Sequence, residues 1–490
     1  MRRREFLQVS LAAAVPAVLA AGPAQIQRHA RGKMLAGTGE AKITPPVGLP
    51  VVGPIQRSTG VHDELFARAL VLSDGTRRSV LVCLDLFGLD FSLADEIRLE
   101  IKRHTGIANV LLNCSHTHSA PFTAPWSVIG WRTCCSEGQA WLKGLVTDVA
   151  EVVAQAAGTL EEVVLRVGRA PVQVGFNRRF PTDQGIVMKP YPQGTTVPWV
   201  DVLRVDAANG KPVAILFSHA AHPVIVHAAS RLISGDYPGY AVQTVKKHFG
   251  RKTQVMFAQA CGANINGEPW RGGFEAAERA GVTLGEAAIE AATQSTPLRG
   301  AEWKIKSLKS ALPLRDFPPV EECEQDVSEA EGRFAKSFGS PTPSDEQLWK
   351  LQDELPVQHK GEQPWWLQDT VLCLRDRLNQ ARRGQKHWLR FEVTALAIGD
   401  EWCLLAMPHE VFAEYQIWFE QKAPFHRKMA LAYTNGCESY LPTDRDLLEL
   451  RGYEAASFPE HAAALRYPHR SPLQPGIEQQ IKDSLKSAWT

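Results

Sequence analysis

The chain has 490 residues, 44% of them hydrophobic and 22% charged, with 54 Lys and Arg against 53 Asp and Glu. That length permits one large domain or two to three ordinary ones, and so even a balance of charge, with no polybasic run beyond the first four residues, gives no sign of a nucleic-acid surface. Nine cysteines, none in a C-x-x-C pair, argue against a thiolate zinc site and against a dense disulfide framework.

The first eight residues read Met1-Arg2-Arg3-Arg4-Glu5-Phe6-Leu7-Gln8, followed by a largely apolar stretch over 9–21. That stretch is too short to span a bilayer comfortably, and the order of basic start, Phe-Leu pair and Ala-rich run reads as a twin-arginine export signal over 1–24. Cleavage between Ala20 and Ala24 gives a mature chain that is periplasmic or secreted, without a transmembrane anchor. Next, 37–53 is rich in Gly and Pro, and Ile43-Thr44-Pro45-Pro46 reads as a short strand entering a turn. Runs at 65–72 and 79–86 flank a turn that begins Ser73-Asp74-Gly75-Thr76, a hairpin signal.

Helical spacing of apolar residues follows at 91–105, a buried strand at 109–113 and an amphipathic helix at 141–157. Strands at 199–205 and 212–217, a helix at 237–248, a strand at 254–258 and a helix at 274–292 continue the alternation. The pattern predicts mixed α/β or α+β layers. From 318 to 386 the composition shifts to Glu, Gln, Lys and Arg, which reads as a helical insertion, with pocket shape depending on how it folds. Strands return at 389–398, 402–407 and 429–433, and the tail from Leu447 is helical and irregular. The expected organisation is a single domain over 34–490 carrying that insertion.

Polar clusters stand where apolar runs stop: Ser115-His116-Thr117-His118-Ser119, His219 to His222-Pro223, Glu410 and Tyr440. In an α/β protein the ends of buried strands converge on one crevice, so these distant residues can meet. His116 and His118 face the same way if they continue the strand before them. Zinc takes imidazole nitrogen together with a hard oxygen such as that of Glu410. Each residue alone also has a bland account: a polar loop for His116 and His118, a satisfied histidine for His219 and His222, a first-turn carboxylate for Glu410, a core aromatic for Tyr440. Asn264, Asn266 and Glu268 sit in a Gly-containing turn that could present N–H donors to an oxyanion. Asp236 reads as a helix cap or as a carboxylate orienting a histidine.

From about residue 37 to about residue 458 the chain resembles the N-terminal catalytic domain of neutral/alkaline non-lysosomal ceramidases. The resemblance rests on Ala41-Lys42-Ile43-Thr44-Pro45-Pro46, Ser115-His116-Thr117-His118-Ser119, Ala221-His222-Pro223, Ser234-Gly235-Asp236-Tyr237-Pro238-Gly239-Tyr240, Pro408-His409-Glu410-Val411-Phe412, and Ser439-Tyr440-Leu441-Pro442-Thr443 with Gly452-Tyr453-Glu454. It implies a catalytic Zn2+ held by His116, His222, Glu410 and Tyr440. His118 (for proton transfer), Arg178 and Tyr453 would lie at the scissile bond of a lipid or other small-molecule substrate. Where the family carries a serine in a Gly-Asp-x-Ser turn, this chain reads Gly262-Ala263-Asn264-Ile265-Asn266, which leaves an asparagine such as Asn266 to donate hydrogen bonds but no nucleophile. The family's C-terminal immunoglobulin-like domain is expected to be absent. Three readings follow: zinc-dependent cleavage of an N-acyl amide, zinc-dependent cleavage of an ester or glycan with Trp365 and Trp366 as a stacking wall, or a silent lipid- or glycan-binding homologue.

Overall fold

The computed structural model describes residues 34–54, 56–123, 136–183, 185–299, 303–344, 364–386, 388–449, 452–455, 463–467 and 469–490. The signal-like segment 1–24 and the Cys134-Cys135 pair lie outside these residues. The side chains of Trp365 and Trp366 are likewise not described.

The apolar runs pair into one large sheet in the order Gln254–Gln259, Pro212–His219, Trp199–Ala207, Glu161–Pro171, Leu35–Lys42, Phe66–Ser73, Arg78–Leu84, Asn109–Cys114. Neighbours are antiparallel except at the two ends. There Pro212–His219 runs parallel to Gln254–Gln259, and Arg78–Leu84 parallel to Asn109–Cys114. Each parallel pair is joined through a crossover helix, Asp236–Phe249 or Phe91–Thr105, as parallel strands require. A second sheet, ordered Trp303–Pro313, Trp388–Ile398, Trp402–Ala406, Arg427–Leu431, holds a third unit of this kind, its last two strands running parallel on either side of helix Ala413–Lys422.

The two sheets pack face to face through Leu70, Leu81, Leu111 and Leu216 against Leu396, Ile398, Trp402 and Leu404. Strand Trp388–Ile398 shows why: Leu396 and Ile398 point into that interface, while Leu389, Phe391 and Val393 point outward onto Ile477, Ile481 and Leu485 of helix Ile477–Trp489. Helices Phe91–Thr105 and Ser136–Gly158 cover one half of the large sheet and Asp236–Phe249 and Phe274–Thr293 the other. The result is a four-layer α/β/β/α arrangement. Helices Val320–Phe338 and Pro364–Arg382 pair beside it, with Val327 and Phe334 packed among Leu367, Val371 and Leu374. Among the described residues no helix is long and apolar enough to cross a membrane.

The Gly-rich start contains a strand that its composition hides. A Cβ on Gly37 would lie 2.1 Å from the Ala156 carbonyl oxygen, and one on Gly39 2.3 Å from that of Val152. Glycine lets helix Ser136–Gly158 lie directly on strand Leu35–Lys42, and that strand ends just before the Ile43 at which the sequence reading starts its strand.

Candidate metal centre

The carboxyl ends of the parallel strands converge at Asn113, which is fully buried. Its side-chain oxygen accepts the Gln259 N–H at 2.8 Å, and its amide donates to the Ala432 carbonyl at 2.6 Å, to Thr434 Oγ1 at 3.1 Å and to the Gln259 carbonyl at 3.3 Å. One amide thereby sews the two ends of the large sheet to the second sheet. The polar residues that follow each strand are delivered into the same crevice.

His116 follows Asn109–Cys114, but the strand has already ended. At φ 67° His116 is left-handed, so it and His118 do not share a strand face as their spacing predicts. A turn instead brings their rings edge to face at 5.1 Å. The His116 ring lies between Phe87 at 4.4 Å and Tyr433 at 4.3 Å, and its Nδ1 is 2.7 Å from the Phe87 carbonyl oxygen. His222, beyond Pro212–His219, is oriented in the same manner, with Nδ1 2.7 Å from the Gly262 carbonyl oxygen. In both rings Nδ1 therefore carries the proton, and Nε2 presents a lone pair. Glu410, reached through His409 at φ 70°, places Oε2 3.1 Å from His222 Nε2 and 3.3 Å from His116 Nε2.

Three electron pairs thus face one another in a buried space, a costly arrangement unless a cation or proton lies among them. Among the described residues neither His116 Nε2 nor His118 Nε2 has a hydrogen-bond partner, although both atoms are buried. Ligand atoms of His116, His118 and His222 lie within 4.8 Å of one another. Burial, with Arg178 adding to it, lowers the His222 pKa to about 4. Burial and the neighbouring His116, His227, His222 and Arg178 hold His118 well below its ordinary value. Burial raises the Glu410 carboxyl, and it falls below the usual carboxylate range only through positive charge and donated protons on the facing His116 and His222 nitrogens, the part a bound cation would take. Two neutral imidazoles and a carboxylate form a donor set that suits zinc.

A second group of residues meets this one from the side. Arg178 donates through Nη2 to the Tyr440 hydroxyl at 3.2 Å, through Nη1 to Asn266 Oδ1 at 3.0 Å and through Nε to Glu454 Oε1 at 2.9 Å. Tyr440 pairs in parallel with Glu410 along a two-residue ladder. Burial and the Glu410 charge raise its phenol well above the ordinary value. Tyr453 packs edge-on to Tyr440 at 5.9 Å and remains 37% exposed, at the rim.

Several candidates are used elsewhere. His219 is buried, turns its Nδ1 to the Trp199 carbonyl oxygen at 2.8 Å and is not among the clustered ligand atoms. Three backbone donors of the expected oxyanion turn are already used: Gly262 N–H on Ala260, Ala263 N–H on Val411 and Ile265 N–H on Gly262. Asn264 accepts from the Ala413 N–H at 2.9 Å and donates to Glu414 Oε2 at 2.9 Å, so it holds the start of helix Ala413–Lys422. Asp236 accepts from the N–H groups of Val226 and Tyr237 and, among the described residues, from no histidine. Phe87, Tyr433, Tyr467 and His227, which stacks on His118 at 5.2 Å, are missed by the sequence reading. Phe87 and Tyr433 each follow a buried strand, the same signal that marks His116.

Residues 34–269 match the model of the neutral/alkaline non-lysosomal ceramidase family, N-terminal. That segment belongs to this ceramidase family. The matched segment holds His116, His118, Arg178, His222 and Asn266. A crystal structure of neutral ceramidase from Pseudomonas aeruginosa superposes with a TM-score of 0.61 at 20% identity, over 89% of this chain and 73% of that one. A ceramidase complexed with C2 gives a TM-score of 0.62 at 19% identity, over 89% and 74%. The ceramidase fold accordingly extends past the matched segment to the elements that carry Glu410 and Tyr440.

Proposed function

We propose that this chain is a zinc-dependent hydrolase of the ceramidase type, cleaving the amide bond of a sphingolipid-like or other N-acyl substrate. The observation that carries the reading is the convergence of the unpartnered His116 Nε2, the His222 Nε2 and Glu410 Oε2 in a buried pocket beside Arg178 and Tyr440. His116, His222, Glu410 and Tyr440 would hold the ion. Zinc bound there supplies Lewis acidity toward the scissile carbonyl and activates water near neutral pH.

The remaining work falls to the chain's own side chains. His118, with a buried and unpartnered Nε2, takes a proton as water adds to the carbonyl carbon and returns it to the departing amine nitrogen as the C–N bond breaks. Arg178 stays charged, since Tyr440 and Glu454 outweigh the effect of its burial, and it stabilises negative charge developing on the carbonyl oxygen. Asn266 and Glu454 orient that guanidinium. Tyr453, at the rim, contacts the substrate as it enters. Asn266 cannot form an acyl-enzyme, so direct attack by water is the route. The sequence of 1–24 supports export through the twin-arginine route.

The test is hydrolysis of a short-chain fluorescent ceramide by the chain from Gln25 onward, with and without chelator and added zinc, beside His116→Ala and Glu410→Ala. Chelator-sensitive turnover lost in both variants supports the proposal. Absence of turnover by folded, zinc-loaded protein on ceramide and on a panel of other N-acyl amides refutes it and leaves the silent-binding alternative.

A further inference from the structure

The two oxygens of Glu410 have separate partners. Oε2 faces the two histidines, while Oε1 accepts the hydroxyl of Tyr467 at 2.8 Å. A glutamate's terminal torsion is broad and roughly two-fold, so nothing intrinsic to the side chain decides which oxygen turns to the histidines or at what tilt. The buried Tyr467 hydroxyl supplies that decision. We propose that Tyr467 is a positioning residue for the metal centre, and that the helical pair beside the sandwich holds it in place.

The second half of the inference comes from what anchors Tyr467. Arg466 lies 2.6 Å from Asp369 Oδ2 through Nε and donates to Thr370 Oγ1 at 3.0 Å. Arg470 donates through Nε to Asp376 Oδ2 at 2.9 Å, and its Nη1 gathers the carbonyls of Leu465, Arg466 and Tyr467 at 2.9, 3.1 and 3.1 Å. Asp369, Thr370 and Asp376 all belong to helix Pro364–Arg382. Leu465 is buried among the apolar residues of the same helical pair. Two arginines on either side of Tyr467 thus clamp it to that helix, and the one hydroxyl transmits the helix position to Glu410. The helical pair belongs to the metal site as a support for one ligand.

The inference rests on the zinc reading above, and the experiment separates the two. Zinc affinity is measured by competition with a chromophoric chelator for wild type, Tyr467→Phe and Arg470→Lys, with the melting temperature of each metal-free protein recorded alongside. Tyr467→Phe keeps the ring and removes one hydroxyl. The expected result is zinc binding about 10- to 100-fold weaker, the range for losing a hydrogen bond to a metal ligand, with the metal-free melting temperature close to wild type. Arg470→Lys, which cannot hold three carbonyls and Asp376 together, shifts affinity in the same direction. Wild-type protein that binds no zinc overturns the zinc reading itself. Tight wild-type binding that Tyr467→Phe leaves unchanged overturns the positioning role alone, and unchanged binding in Arg470→Lys overturns the part assigned to the helical pair.

Discussion

Replacing Asn113 by Ala tests whether one amide joins the two sheets. The substitution removes an acceptor from the Gln259 N–H and a donor from two carbonyls and a hydroxyl. The carbonyls are not orphaned, because Gln259 O still accepts the Ala432 N–H at 3.0 Å and Ala432 O still accepts the Thr434 hydroxyl at 2.8 Å. The Gln259 N–H keeps no partner. The cost is then about 1–3 kcal/mol for one buried, unsatisfied N–H, plus about 1 kcal/mol for each of the two shorter hydrogen bonds lost, or about 3–5 kcal/mol in all. Urea unfolding of the metal-free variant and wild type measures it through the shift in midpoint at constant slope. Asn113→Asp sharpens the test, since it turns an oxygen toward the Ala432 carbonyl and buries a carboxyl. That carboxyl's pKa in the folded state is raised, so the variant loses stability as pH rises from 5 to 8. A loss below about 1 kcal/mol for Asn113→Ala would mean that the amide does not bridge the sheets, and the convergence of the strand ends would need another cause.

Gly262→Ala would put a Cβ 2.8 Å from the Ala221 backbone nitrogen, forcing the Gly262 carbonyl away from His222 Nδ1. Zinc affinity falls and stability drops by about 1–3 kcal/mol, whereas wild-type values in a zinc titration and urea melt would show that this carbonyl has room to move. Burial raises the Asp236 pKa to about 7, against the backbone donors that lower it. With an ordinary value near 3.8, the folded state holds a proton that the unfolded state has lost between about pH 4 and pH 7, so this group makes stability fall as pH rises through that window. Asp236→Asn, which tolerates the φ of 55° at this position, gains on wild type by an amount that grows from pH 4 to pH 8 in paired urea melts. A constant difference would rule out the titration. Cys83, Cys114, Cys261 and Cys403 are buried, and burial raises each thiol. Iodoacetamide followed by peptide mass spectrometry should find them unlabelled in native protein and labelled in guanidinium, and native labelling would contradict the packing.

Much of the fold is legible because buried strands and amphipathic helices announce themselves by period. The hairpin over Phe66–Ser73 and Arg78–Leu84, the two crossover helices and the strands that precede His116, His222 and Glu410 all carry that signal. Strand Leu35–Lys42 does not, because the glycines that admit a helix onto it also dilute its apolar pattern. The site is legible in part for a related reason. A histidine at the end of an apolar run is conspicuous, but the feature that frees its Nε2 is a backbone carbonyl, Phe87 for His116 and Gly262 for His222, and every residue has one. Spacing also misleads where the backbone leaves the extended region. The φ of 67° at His116 and of 70° at His409 turns each chain end inward, and such conformations cost free energy that the surrounding packing must offset. Tyr433, at φ 50°, and His227, at φ 39°, are left-handed as well. Three of these four left-handed residues, His116, His409 and Tyr433, set the direction of two candidate ligands and of the ring stacked on His116. The left-handed turns at His116 and His409 are therefore part of the geometry that brings Glu410 Oε2 against the two Nε2 atoms.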